Sequence, residues 1–600
     1  MCGISAIFGY QPAAPLVDPA ELEAITRHMA PRGPDAHGTW CSPDQRVGLG
    51  NRRLAIIDLS PDGVQPMTSV EGDLVIVFNG EIYNYAELRT RLEARGALFH
   101  THTDTEVLLQ AYRFIGPRMV ELLRGMFAFT IWDKVRRRLF VARDPYGIKP
   151  LYFVDDGRTF RAASQVKALL AGGAVSPARD PAGIAGFFLL GSVPEPFTIC
   201  RDIQAVRAGT WFFVDEDGRG PEQRFFSIAG TFREAVSQRQ IASLATPQTS
   251  IREAVCESLM QHLVADVDVG VFLSAGIDSS ALASLAAGSR TSPLRTLTLR
   301  FREFEGESVD EAPLAEMFAR SIGATHVTRT VTREEFLSDL PRFLSQMDQP
   351  TIDGINTWFI SKAAAEQKLK VAISGVGGDE LFGSYPSFRD VPRYVHALQA
   401  AKRVPGATAA LQKTLQLLRR VGAVHRKSTS VPQFGSSWAG AYFLRRGVFM
   451  PEDLPAIIGS DVAEEGLNRL SVIEHIADSI SPDPDSSYGR VATLEASLYM
   501  RNQLLRDSDW ASMAHSVEVR TPLVDSYLLR QLAPLVLLDA RNAKDHLASA
   551  TRPALPEAIR NRRKTGFTTP THEWARSLPQ FHGEGVTGWA RFVYESEFAR

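Results

Sequence analysis

Two kinds of hydrophobic pattern follow one another along this chain, and they change over near Phe226. Before that point, short β-prone runs are joined by tight turns. They are Asp73–Asn79, Phe127–Trp132 with Leu139–Ala142, and Leu151–Val154 with Thr159–Ala163 across an Asp-Asp-Gly157 turn. Helices are expected at Pro19–Met29 and Asn84–Arg95. Beyond Phe226, buried-strand runs alternate with helical periods. The strands are Val269–Leu273, Leu294–Phe301 and Thr325–Val331, and the helices are Ser279–Ala287 and Pro313–Ile322. A further helix is capped by Thr332, with Glu335 three residues on. Tight turns make antiparallel pairs, whereas strands separated by helices run parallel. A chain of 600 residues is also too long for one core. The expected division is a β-rich domain over 1–226, a polar and weakly patterned linker over 227–250, and an α/β domain over 251–600. That last domain opens with a helix, Ile251–Leu263, and is mostly helical beyond about 390.

Bulk properties remove several function classes. The formal charge of -2 gives no electrostatic reason to expect nucleic acid or an anionic membrane. The richest apolar run, Ile184–Val193, is short and holds two glycines, so it does not read as a membrane span. Met1-Cys2-Gly3-Ile4 lacks the basic region and cleavage pattern of a secretory signal. Four cysteines make no disulfide framework, and a reducing cytoplasm is the expected location.

Cys2 carries the first chemical signal. Loss of Met1 leaves one residue with both a thiol and a free α-amine. The ordinary pKa of that amine, about 7.7–8.0, lets it accept the thiol's proton near neutrality. Alone, a cysteine at position 2 is more often an incidental small residue. It is followed, in order, by Arg32-Gly-Pro-Asp35, Asn51-Arg-Arg-Leu54, Asn79-Gly-Glu-Ile-Tyr-Asn84, Thr103-Asp104 and Arg143-Asp-Pro-Tyr-Gly-Ile-Lys-Pro-Leu-Tyr152. This series resembles the class II glutamine amidotransferase domain over residues 2–215. The resemblance implies an αββα, Ntn-hydrolase-type antiparallel sandwich with Cys2 as nucleophile. It implies that the Asn79 side-chain amide and the Gly80 N–H form the oxyanion hole. It gives Arg53 to the glutamine α-carboxylate, and Glu81 and Asp104, with Asn79, to the rest of glutamine.

A second centre is expected in the α/β part. Val269-Gly-Val-Phe-Leu-Ser-Ala-Gly-Ile-Asp-Ser-Ser280 is a buried strand, a small-residue loop and a helix start, an arrangement that turns N–H groups toward an anion. No Walker A loop occurs. The segment resembles the pyrophosphate loop of the ATP pyrophosphatases, with Ala275 where a glycine is usual. Val371-Ala-Ile-Ser-Gly-Val-Gly-Gly-Asp-Glu-Leu-Phe-Gly383 is similar to the matching segment of asparagine synthetases. So is Leu504–Asp525, the helical signature of that family, in which Glu518 and Arg520 are read as structural ion-pair members. So too is Arg562-Arg-Lys-Thr-Gly-Phe567. Val193-Pro-Glu-Pro196 fits the same family's domain-junction region. The resemblance to glutamine-hydrolysing asparagine synthetase thus spans nearly the whole chain. It implies an α/β, parallel-sheet ATP-pyrophosphatase domain with a helical extension. It places ATP on Leu273, Ser274, Gly276, Asp278, Ser279, Ser374 and Gly375, and Mg²⁺ on Asp278 and Asp379. Lys564 is expected on the polyphosphate. Glutamine, ATP and a carboxylate acceptor are the implied partners, and a homodimer is compatible with them.

The implied reaction is conversion of aspartate to asparagine through an acyl-AMP, with ammonia passed internally from Cys2. Two departures leave a different carboxylate, such as a sugar acid or a biosynthetic intermediate, as the alternative acceptor. Val376 stands where well-studied members carry a glutamate. Asp353-Gly-Ile355 stands where a bacterial member carries Arg-Ala-Ser. Separately, Gln165 replaces a glutamate after Ser164, which alters a contact expected near the domain interface.

Overall fold

The computed structural model describes residues 2–242, 247–289, 292–420, 426–540, 542–552, 554–562 and 569–599. Two antiparallel sheets form the N-terminal part. The first has six strands in the order Gln204–Ala205, Tyr152–Asp155, Thr159–Ala163, Gly3–Gly9, Val47–Arg53 and Ala36–Cys41. The second runs Gly218–Arg219, Thr210–Asp215, Arg138–Arg143, Gly125–Asp133, Leu74–Ile82 and Met67–Thr68, with Gln223–Arg224 paired to Thr210–Asp215. Side chains alternate across a strand, and both faces of these strands are apolar. Ile4, Ala6 and Phe8 from the first sheet meet Val75, Val77 and Val141 from the second in one buried core. On the outer face of the first sheet, Ile7 packs with Leu22 and Ile25 of helix Pro19–His28. On that of the second, Ile76 and Phe78 pack with Leu108 and Tyr112 of helix Asp104–Ile115. The layers are therefore helix, sheet, sheet, helix, as the resemblance implied.

The C-terminal part is built on a parallel sheet in the order Thr325–Val331, Arg295–Phe301, Val269–Phe272, Val371–Ile373, Glu518–Arg520. The strands to one side of Val269–Phe272 come next in sequence, and those to the other side come much later. This is a topological switch point, where the loops leaving the two central strands diverge and open a crevice. Ser274–Gly276 and Ser374–Gly377 are those two loops.

Two expectations are corrected. Within 227–250, which reads as a polar linker, the chain forms helix Ile228–Ala242, and Phe232 and Ala235 lie buried in the core that also holds Leu528 and Leu532. The segment Leu504–Asp525 is not all helix either. Glu518–Arg520 is the fifth strand of the parallel sheet. Two charged residues in three hide it from a β-propensity reading. They are tolerated because Arg520 Nε donates to Glu518 Oε1 at 2.6 Å, and both side chains are fully buried.

The two parts are joined by buried polar contacts. Arg32 forks onto Asp509 at 2.7 and 3.0 Å, and Arg124 meets Asp525 at 2.7 Å. Gln165 leaves the start of helix Val166–Ala171 without a side-chain cap. Asp348 supplies one from the other part, accepting from the Val166 and Lys167 amides at 3.0 and 2.9 Å. All four cysteines are free. Among the described residues, no helix is long and apolar enough to cross a membrane.

Candidate active sites

Cys2 immediately precedes the central strand Gly3–Gly9 of the first sheet and is buried. Its main-chain nitrogen, the atom that becomes an amine once Met1 is removed, donates to Asn79 Oδ1 at 3.0 Å. The other end of the Asn79 amide faces Ser164 Oγ at 3.5 Å. Arg32 Nε donates to the Cys2 carbonyl at 3.1 Å. Burial pushes the Cys2 thiol up from its ordinary value, and a hydrogen bond from the Leu54 amide opposes it. A thiol held protonated in this way needs a base beside it.

Asn79, Gly80 and Glu81 are consecutive residues of strand Leu74–Ile82, paired to Ala128, Phe127 and Met126. Gly80 has φ +157°, and a Cβ added there would stand 2.1 Å from the Met126 carbonyl oxygen and 2.8 Å from Phe127 Cα. Only glycine fits that approach. Gly80→Ala is expected to cost about 1–3 kcal/mol of stability through overpacking. It should also lower glutaminase turnover, which thermal denaturation and a glutamate-release assay would check together.

Asp104 starts helix Asp104–Ile115 and accepts the Ile82 amide at 3.0 Å. Its burial raises the carboxyl to about 6. Glu81 is buried, 3.6 Å from Arg520 Nη2, and burial next to Glu518 raises it well above the usual carboxylate range. Cys2, Asn79, Gly80, Glu81 and Asp104 thus gather at one end of the sandwich. Arg53, expected to fork onto the glutamine α-carboxylate, stands at the end of strand Val47–Arg53. Its guanidinium donates to the carbonyls of Ile57, Asp58 and Ser60, bracing the loop that follows its strand.

At the switch point, a cavity of about 560 Å³ is lined by both loops. Ser274 N and Oγ bond Ser279 Oγ at 3.1 and 2.8 Å, and the Gly276 amide donates to Ser274 Oγ at 3.2 Å. Leu273 N–H continues the strand by donating to the Leu297 carbonyl. Ala275 is buried and is not among the residues with positive φ, so a methyl group replaces the usual glycine without backbone strain. The second loop packs directly on the first. Cβ atoms added at Gly375 and Gly378 would lie 3.0 Å from Ser279 N and 2.3 Å from Asp278 Cγ. These missing side chains bring Asp278 and Asp379 together, and Lys544 Nζ contacts both carboxylates, Asp379 at 3.1 Å. Two hard oxygen donors that already converge on one cation suit Mg²⁺ completed by phosphate oxygens.

Lys544, on helix Ala543–Ser549, escapes sequence reasoning because Asn-Ala-Lys-Asp carries no local signature. The Arg32–Asp509 fork has none either, because its halves are far apart in the chain. Lys564 lies outside the described residues. Beyond the acids, Glu380 accepts from Tyr385 Oη at 3.0 Å and is pushed up to about 8, first by burial and then by Asp379.

A sandwich with Cys2 at the head of a central strand, coupled to a parallel sheet with paired loops and acids at its switch point, has the build of a glutamine-dependent, nucleotide-using synthetase. The chain belongs to the glutamine-hydrolysing asparagine synthetase family. The glutamine amidotransferase domain model matches residues 1–226, and the asparagine synthase model matches 250–589. Glutamine-hydrolysing asparagine synthetase 1 of Bacillus subtilis is 32% identical, over 96% of this chain and 88% of its own. A putative glutamine-hydrolysing asparagine synthetase of Mycobacterium tuberculosis is also 32% identical, over 96% and 89%. Amidase chry2 of Gibberella zeae is 29% identical, over 96% and 90%. A solved glutamine phosphoribosylpyrophosphate amidotransferase from Bacillus subtilis aligns with 55% of this chain at 16% identity and a TM-score of 0.29, too low to carry an argument. The chain is a glutamine-hydrolysing carbon–nitrogen ligase.

Proposed function

We propose that this enzyme releases ammonia from glutamine at Cys2 and uses it to amidate a carboxylate activated as an acyl-AMP. The observation that carries the reading is the pairing of Asp278 and Asp379 on one cation in the lining of the switch-point cavity.

In the first half, the Cys2 amine, held by Asn79 Oδ1, takes the thiol proton and the sulfur attacks the glutamine side-chain amide. Asn79 Nδ2 and the Gly80 N–H receive the developing oxyanion. The protonated leaving nitrogen departs as ammonia, and water frees glutamate from the thioester. Glu81 and Asp104 between them receive the substrate's α-ammonium and amide ends, the Asp104 carboxylate taking the ammonium, while Arg53 and the 57–60 loop it braces face the α-carboxylate. In the second half, the Ser274–Gly276 loop, Ser279, Ser374, Gly375 and the Leu273 main chain hold ATP, with Lys564 assisting on the polyphosphate. Asp278 and Asp379 would hold Mg²⁺, which neutralises phosphate charge when bound. A carboxylate oxygen attacks the α-phosphorus and pyrophosphate leaves. Ammonia then adds to the acyl carbon and AMP leaves. The cytoplasm suits this chemistry, since ATP and a free thiol are both maintained there.

Of the two acceptors expected from the sequence, the cavity favours the carboxylate other than aspartate. Val376 lines it with an apolar side chain, and Asp353 adds an acid where an amino-acid carboxylate would need a cation. Incubation with glutamine, Mg-ATP and a carboxylate, with quantification of glutamate, AMP and pyrophosphate, tests the scheme. Formation of ADP in place of AMP would refute it.

Asp104 sets the expected pH dependence of glutamine use. A carboxyl titrating at about 6 in the folded protein is neutral below that pH and charged above it, and only the charged form attracts an ammonium. KM for glutamine should therefore rise as pH falls through 6. Asp104→Asn should flatten that dependence while raising KM at neutral pH, as measured by glutamate release between pH 5 and 8.

A further inference from the structure

The charges lining the switch-point cavity fall into two groups. On the nucleotide side, both described cations are already tied to acids of the same cavity. Lys544 lies between Asp278 and Asp379, and Arg562 Nη1 pairs with Glu311 Oε1 at 2.7 Å. Apart from these, the described titratable residues that line the cavity are the acids Asp353 and Glu380 and the phenols Tyr385 and Tyr499, with no further Lys, Arg or His among them. Buried Asp507 stands behind Asp353, accepting from Thr351 Oγ1 and Trp510 Nε1, each at 2.9 Å.

The start of helix Ile355–Glu366 also lines the cavity. A helix N-terminus is a ready site for a carboxylate only while its N–H groups are open. Here Asp353 Oδ1 accepts the Gly354 amide at 2.9 Å, and Asn356 Oδ1 accepts the Thr357 amide at 2.7 Å. Two of the amides at this end, those of Gly354 and Thr357, are thus occupied by the chain's own side chains, and a second carboxylate approaching here would meet the Asp353 carboxylate. Asp353 Oδ2, by contrast, has one long contact, to Gln503 Nε2 at 3.5 Å. It is placed to receive a donor.

We infer that the acceptor is a monocarboxylic acid bearing hydroxyl or ammonium groups, and that Asp353 selects it by accepting their hydrogen bonds. This rests on the acyl-AMP reading above. Hydroxyl and ammonium donors present the same N–H or O–H to Asp353. A site built to accept a hydrogen bond rejects analogues that cannot donate it by large factors.

The test uses the full-length protein with Mg-ATP and ammonium chloride, which removes dependence on Cys2, and reads acid-dependent AMP and pyrophosphate. D-gluconate and D-galacturonate probe hydroxyl donors, β-alanine and 4-aminobutyrate probe ammonium donors, and L-aspartate, L-glutamate and succinate are the dicarboxylates. At least one donor-bearing monocarboxylate should exceed aspartate in kcat/KM by about 30-fold or more. Asp353→Asn should then lower kcat/KM for that acid, mainly through KM, by about 10-fold for a hydroxyl donor and about 100-fold for an ammonium. Its glutaminase activity should be unchanged, which verifies folding. The inference is overturned if aspartate equals or exceeds every donor-bearing acid, if none of those acids rises above the acid-free background, or if Asp353→Asn leaves kcat/KM intact. Those results leave the acyl-AMP scheme standing when AMP is the nucleotide product, whereas ADP would refute the scheme itself.

Discussion

Cys2→Ala is expected to abolish glutamine-dependent amide formation, by at least about 10⁴-fold, because it removes the nucleophile rather than a group that assists it. With ammonium chloride as nitrogen source, carboxylate-dependent AMP formation should stay within about two-fold of wild type, since its chemistry reacts elsewhere. The basis is spatial. Cys2 sits beside the first antiparallel sheet, and the ATP-side acids sit at the switch point of a separate parallel sheet. Losing a buried sulfur next to the Leu54 amide opens only a small void, so the thermal midpoint should change little. Paired assays with glutamine and with ammonium decide the matter. Loss of both activities in a folded variant would mean that the two sites are not separable.

The reciprocal substitution, Asp379→Asn, is expected to remove carboxylate-dependent pyrophosphate release by about 10²–10³-fold while leaving glutamate release intact. The reason lies in how the charges are shared. Asp278 and Asp379 converge on Lys544, two acids on one cation. Neutralising one acid relieves like-charge repulsion between them, so the free protein should be as stable as wild type or slightly more so. Once Mg-ATP brings a divalent cation, the same substitution removes a required anionic ligand. Activity and stability should therefore move in opposite senses or independently. A parallel fall in thermal midpoint and pyrophosphate release would instead assign Asp379 a purely structural role.

Much of the architecture is legible locally. The Leu151–Val154 and Thr159–Ala163 runs pair as an antiparallel hairpin, and three strands of the parallel sheet lie where alternation with helices puts them. Cys2, Asn79, Gly80 and Glu81 stand out because each belongs to a short contiguous motif. The misses share one cause. Helix Ile228–Ala242 looks like a linker because its few apolar residues are set among polar ones, and its Phe232 is paired with a core drawn from residues about 300 positions later. Strand Glu518–Arg520 looks too charged to be buried until its two side chains are seen to neutralise each other. Lys544 and Arg32 gain meaning only from partners 165 to 477 residues away in sequence.

Sequence alone determined the two architectures, their order, and the short segments that carry Cys2 and the two small-residue loops, since each depends on residues within one turn or strand of each other. Tertiary structure decided which charges meet. It set Lys544 between two acids, tied Arg53 to the carbonyls of the loop after its strand and set Asp353 and Asn356 on two amides of one helix end. Electrostatic contacts act through space, and the fold brings together groups that the chain keeps hundreds of residues apart.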